Sequence, residues 1–93
     1  MNLTGKRVTV RPDVLVRELR GESVLLDLAS ESYFGLDEVG TGMWRALTTT
    51  GSIEAAMQAL LREYDVAPQR LLEDLEGFIE VLDRAGLVDV LDP

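Results

Sequence analysis

Ile53, Ala56, Met57, Leu60, Leu61 and Tyr64 recur at i, i+3, i+4, i+7, i+8 and i+11 without a break, the spacing of one face of an α-helix. Ser52 stands where a side chain can cap its start. After the short connector Asp65-Val66-Ala67, Pro68 opens a second such segment, in which Leu71, Leu72, Leu75, Phe78, Ile79 and Leu82 form the apolar stripe. Proline suits a first helical turn because its missing N–H has no partner there, and Gly86 suits the C-terminal cap. Two helices in tandem, each apolar on one side only, need the rest of the chain to cover them.

Upstream the period changes. Val14-Leu15-Val16-Arg17-Glu18-Leu19 reads as a short strand, and Gly21-Glu22 supplies a turn. Ser23-Val24-Leu25-Leu26-Asp27-Leu28 is the next strand, with Val24, Leu26 and Leu28 on one face. Ala29-Ser30-Glu31-Ser32 connects it to a third, very short strand, Tyr33-Phe34-Gly35-Leu36. Phe34 and Leu36 share its core-directed face, and Tyr33 and Gly35 point the other way. Asp37 caps a helix whose buried stripe is expected to be Val39, Met43, Trp44 and Leu47, and Thr48-Thr49-Thr50-Gly51 is expected to stop it. Gly40 and Gly42 cost this helix about 1 kcal/mol each relative to alanine, which points to close approach of another backbone. Residues 1–12 read as an arm or weak edge strand ending at Pro12. Leu87-Val88-Asp89-Val90-Leu91 reads as a wing-like strand or an extended segment over the core. The expected fold is α+β and winged-helix-like: a three-stranded antiparallel sheet followed by three helices.

Composition removes several chemistries. A chain of 93 residues makes one domain. It has neither cysteine nor histidine, so disulfides, thiolate metal sites and the commonest general base are absent. No apolar run approaches the roughly 18 residues of a membrane span, and residues 1–7 lack a signal-peptide core. A cytoplasmic protein with no membrane association is expected. The formal charge is −8, unevenly spread. Residues 1–20 hold Lys6, Arg7, Arg11, Arg17 and Arg20 against two acids, and residues 21–93 hold four basic side chains against fifteen acidic ones. Such a chain repels phosphate backbones. Residues 37–86 have helix lengths fit for a helix-turn-helix, but the last helix offers only Gln69, Arg70 and Arg84 among five acids, so no nucleic-acid partner is expected.

Carboxylates are the remaining catalytic candidates. Glu76 and Glu80 stand one turn apart and could share a proton or a divalent ion. The same spacing gives a solvated helix face, the simpler account of Glu73, Asp74, Glu76, Glu80 and Asp83. Trp44, the one tryptophan, reads as a core anchor rather than a stacking platform. No phosphate loop, EF-hand or nucleophile elbow is present. The chain is expected to be no enzyme and to carry no cofactor and no metal.

The run from Leu26 to Leu47, LDLASESYFGLDEVGTGMWRAL, resembles the PqqD family. So does Asp74-Leu75-Glu76-Gly77-Phe78-Ile79-Glu80-Val81-Leu82 followed by Gly86-Leu87. The likeness spans roughly residues 12–90, with residues 1–12 as an arm and 13–91 as the domain. Members are leader-peptide recognition domains for ribosomally made, post-translationally modified peptides. The resemblance implies that a precursor's leader adds as a strand beside Ser32, Tyr33, Phe34, Gly35 and Leu36. Leu71, Asp74, Leu75, Phe78 and Leu82 would form the helical wall. It further implies a leader peptidase or other modifying enzyme as partner, most in keeping with lasso-peptide biosynthesis. The alternatives are a partner of a radical SAM enzyme in pyrroloquinoline quinone biosynthesis and a general protein-interaction domain. Gly77 departs from the pattern, since a side chain is expected there to pack or to wall the groove.

Overall fold

The computed structural model describes residues 5–92. Strands β1 (Arg7–Val10), β2 (Val14–Leu19), β3 (Glu22–Asp27) and β4 (Ser32–Leu36) precede helices α1 (Glu38–Thr50), α2 (Ile53–Glu63) and α3 (Pro68–Arg84), and β5 (Val88–Leu91) follows. The expected α+β architecture with a three-stranded antiparallel sheet, ordered β2-β3-β4, is observed. The arm and the tail pair with each other: β1 and β5 form an antiparallel second sheet with Val8 opposite Val90 and Val10 opposite Val88. The first four residues of the expected arm lie outside the described residues. Val8 and Val88 are buried, and Lys6–Asp92 and Arg11–Asp89 ion pairs clamp the two strands. The Lys6 ammonium, bonded to the Asp92 carboxyl, holds that group below its ordinary range.

The β2–β3 turn is made by Arg20 and Gly21, at φ 55° and 85°, rather than by Gly21-Glu22. Two central residues at positive φ make a type I′ turn, whose twist matches that of the strands it joins. The strand faces follow from the alternation of side chains. Ser23, Leu25 and Asp27 turn inward, while Val24 and Leu28 are exposed and Leu26 is half-buried. Val24, Leu26 and Leu28 do share a face, and it is the outer one.

Each helix start has a physical cause. The Asp37 carboxylate accepts from the Gly40 N–H at 2.7 Å, and Ser52 Oγ accepts from the Ala55 N–H at 3.2 Å. Pro68 occupies the first turn of α3. Helix α1 runs through the threonines, whose hydroxyls bond back to the helix (Thr48 to the Trp44 carbonyl, Thr50 to that of Ala46). It stops only at Gly51, in the left-handed conformation at φ 71°. Val39 is half exposed, and the buried face of α1 is instead Gly40, Thr41, Met43, Trp44 and Leu47. The two glycines face side chains, not a backbone. A Cβ on Gly40 would meet Leu36 and Asp37, and one on Gly42 would lie 2.5 Å from the Tyr64 hydroxyl.

Leu25 and Leu36 from the sheet, Met43, Trp44 and Leu47 from α1, Ile53, Ala56 and Leu60 from α2, and Leu71, Leu75, Ile79 and Leu82 from α3 form one core with Leu87 and Val88. Trp44 is an anchor of that core. Within it the Ser23 and Thr41 hydroxyls bond at 2.7 Å, joining β3 to α1.

Candidate functional site

The hydrogen-bonding directions of β4 follow from the turn before β3. In a type I′ hairpin the flanking residues, here Leu19 and Glu22, form a hydrogen-bonded pair, and such pairs alternate along the ladder. Arg17–Val24 and Leu15–Leu26 are therefore the next ones in this register. The Leu28 N–H, donating to the Asp13 carbonyl at 2.9 Å, keeps the alternation beyond the strand end. Glu22, Val24 and Leu26 thus spend their backbone groups on β2. Ser23, Leu25 and Asp27 direct theirs to β4, to Leu36, Phe34 and Ser32. The backbone N–H and C=O of Tyr33 and Gly35 consequently point away from β3, and no described strand pairs with that edge.

Three features equip this edge to accept another strand. It carries no charged side chain from Ser32 to Leu36, whereas charge is the usual guard against strand addition. The outer edge of β2 has such a guard, since Glu18 on that strand is ion-paired with Arg45. Gly35 leaves open space where a Cβ would stand. The start of β4 is also fixed: the buried Asp27 carboxylate accepts from the Ala29 N–H at 3.1 Å and from the Ser30 hydroxyl at 2.8 Å, and Ser30 meets Ser32 at 2.6 Å. This is an Asx-type turn, signalled in the sequence by Asp27 and Ser30 three residues apart.

The residues expected at the site divide by exposure. Tyr33 is 78% exposed, Ser32 and Gly35 are exposed, and Phe34 is half-buried against the core. Leu36 is buried. On α3, Leu71, Leu75 and Leu82 are core residues, at 4%, 0% and 0% exposure. Phe78 is half-buried, and Asp74 is exposed and paired with Arg70 at 3.4 Å. Gly77 is exposed with nothing near its missing side chain, so its lack of a Cβ removes no packing. Among the described residues no group of three or more acidic side chains is placed to hold a metal ion, and no helix is long and apolar enough to cross a membrane.

Residues 22–88, more than half of the chain, match the family model described as "Coenzyme PQQ synthesis protein D (PqqD)". The chain belongs to the PqqD family. Solved structures agree with this PqqD-family fold. One, described as "TbiB1 in Complex with the TbiA(beta) Leader Peptide", is 31% identical with a TM-score of 0.81, over 86% of this chain and 93% of that one. Another, "Lasso peptide synthetase B1 complexed with the leader peptide", superposes with a TM-score of 0.79 over 89% and 98% of the two chains. At 24% identity it supports the fold alone. No curated protein matches this PqqD-family sequence.

Proposed function

We propose that this PqqD-family chain binds the leader segment of a ribosomally made precursor peptide as a fourth strand on β4, and presents it to a leader peptidase or other modifying enzyme. The setting that fits best is a lasso-peptide pathway. The observation that carries the reading is the free, uncharged β4 edge with the backbone groups of Tyr33 and Gly35 turned outward. The leader-bound state of the TbiB1 structure, similar over most of both chains, supports it. Residues 13–91 act as the recognition unit, and the work is non-catalytic.

Magnitudes decide how such a site holds its ligand. Ordering about six leader residues costs roughly 6–12 kcal/mol of backbone entropy. Tyr33 and Gly35 offer two donors and two acceptors, each returning about 0.5–1.5 kcal/mol. Pairing alone therefore falls short, and apolar anchors worth about 1.5–3 kcal/mol apiece close the difference. Phe34 and Phe78, both half-buried, supply apolar surface for those anchors. Leu36, Leu71, Leu75 and Leu82 are core residues of the same two elements, and the exposed Asp74, paired with Arg70, is the acid assigned to steer a basic leader residue. Backbone pairing sets the register, and the anchors set the choice of peptide.

Calorimetric titration of the chain with the leader of the precursor encoded beside it tests the reading. Saturable one-to-one binding is expected, reduced at least about tenfold by Phe78→Ala. No heat with that leader, from a chain shown to be folded, would remove it.

A further inference from the structure

Gly35 is the one glycine in the described strands, and the fold itself gives no reason for it. Its backbone is not in the left-handed region, unlike that of Gly21, Gly51 and Gly86. No atom stands within 4 Å of the place its Cβ would take, unlike at Gly40 and Gly42. Glycine inside a strand weakens it, and one that serves neither a bulge nor a crowded neighbour marks a place where a ligand or another backbone comes close.

The register shows what the missing side chain opens. Arg17, Val24 and Gly35 stand abreast on the sheet face turned away from the helices. A concavity of about 530 Å³ lies along that row, lined among others by Arg17, Leu19, Glu22, Val24, Gly35 and Asp37. Its charged lining is of both signs, so charge selects no occupant. Geometry does. Gly35 is the member of the row that lies on the edge strand, so the concavity opens through it towards whatever pairs with β4. A side chain at position 35 would stand between the two.

A leader strand on β4, the function proposed above on which this inference rests, sets one of its residues beside Gly35. That residue's side chain lies on the same outer face, because neighbours in a ladder share a face. The added strand would run about 4.8 Å from β4 and about 10 Å from β3. A small or β-branched side chain stays over its own strand. An aromatic or long apolar one lies across the vacant position and meets Val24, which is 37% exposed, as aromatic rings cover glycines at sheet edges. From this we infer that Gly35 is a specificity-determining residue: it admits a large apolar leader side chain, aromatic or long, which crosses the glycine and seats against Val24 in the outer concavity. The contact lies on the opposite face of the leader strand from Phe34, which packs against the core.

The test is calorimetric titration of the full chain with the leader of the precursor encoded beside it and with the alanine scan of that leader. Four proteins are compared: the wild type, Val24→Ala, Gly35→Val and the double variant. Valine suits a strand and meets open space at position 35, and position 24 is part exposed, so all four are expected to melt as folded chains. In the wild type, alanine at one leader position holding a large apolar residue is expected to cost at least about tenfold in affinity. Val24→Ala is expected to cost about threefold against the native leader and nothing against that alanine leader. This coupling joins residues two strands apart, and it is expected to vanish when valine fills position 35. Absence of a Val24→Ala effect in the wild-type background overturns the inference and leaves leader addition to β4 standing. An equal Val24→Ala effect with glycine and with valine at 35 does the same, and so does a coupled leader position that holds a small or charged residue. Failure of the folded wild type to bind the leader at all is a separate result, and removes the underlying function together with the inference.

Discussion

Ser23 Oγ of β3 and Thr41 Oγ1 of α1 lie 2.7 Å apart in the interior, each hydroxyl the other's partner. Both residues are nearly inaccessible, at 4% and 1% exposure. The bond ties the central strand to the first helix within the core that also holds Leu25, Leu36, Met43, Trp44 and Leu47. A buried hydroxyl stripped of its partner bears the whole cost of its desolvation, whereas removing both partners is close to neutral.

Ser23→Ala and Thr41→Val are each expected to destabilise the chain by about 1–3 kcal/mol. The double variant should be less destabilised than the sum of the two, since neither hydroxyl is then left alone. Urea unfolding of the four proteins gives the coupling. Simple additivity would mean that the contact contributes nothing of its own.

The contact between Gly42 and Tyr64 predicts a change that depends on its background. Alanine in a helix is favoured over glycine by about 0.8–1 kcal/mol, but a Cβ at position 42 meets the Tyr64 hydroxyl at 2.5 Å. Gly42→Ala is therefore expected to stabilise a Y64F chain by about that amount and to give less than this, or a loss, with Tyr64 in place. Thermal melts of the four proteins decide it. Equal effects in both backgrounds would show that the hydroxyl moves aside at no cost.

Adjacent residues of β4 should respond oppositely to proline. At position 34 proline removes a ladder donor to β3 and is expected to cost about 3 kcal/mol or more of stability. At position 35 it removes only an outward N–H, so the fold should persist, as proline is tolerated on an edge. Leader affinity should nevertheless fall at least about tenfold. Melting temperatures alongside leader titrations separate the two effects; a Gly35→Pro chain that is folded and binds normally would place the leader elsewhere.

Local signals made much of this architecture legible. The periodicity of Ile53 to Tyr64 and of Leu71 to Leu82 located two helices, because each must bury one face. Asp37, Ser52 and Pro68 marked helix starts because backbone donors need partners at those points. What the sequence could not convey were choices made by tertiary contact. Val39 fits the apolar spacing of α1, yet Gly40 and Thr41 take the inward positions because Leu36 and Ser23 approach there. The pairing of Arg7–Val10 with Val88–Leu91 joins opposite ends of the chain, which no local pattern encodes. Within the candidate site, the strand was readable from Tyr33-Phe34-Gly35-Leu36. Which of its backbone groups stay free required the register and the turn at Arg20 and Gly21. The α3 stripe was readable as apolar, but burial divides it, with Leu71, Leu75 and Leu82 inside and Phe78 at the surface.

The central claim concerns individual N–H groups, so amide hydrogen exchange followed by NMR, with and without the leader, tests it most directly. The Tyr33 and Gly35 amides, which face away from β3, should exchange freely in the unliganded chain and become protected at saturating leader, while that of Phe34, already bonded to β3, changes little. Continued free exchange at Tyr33 and Gly35, with new protection at Val16 and Glu18 on the β2 edge or on none of the strands, would contradict leader addition to β4.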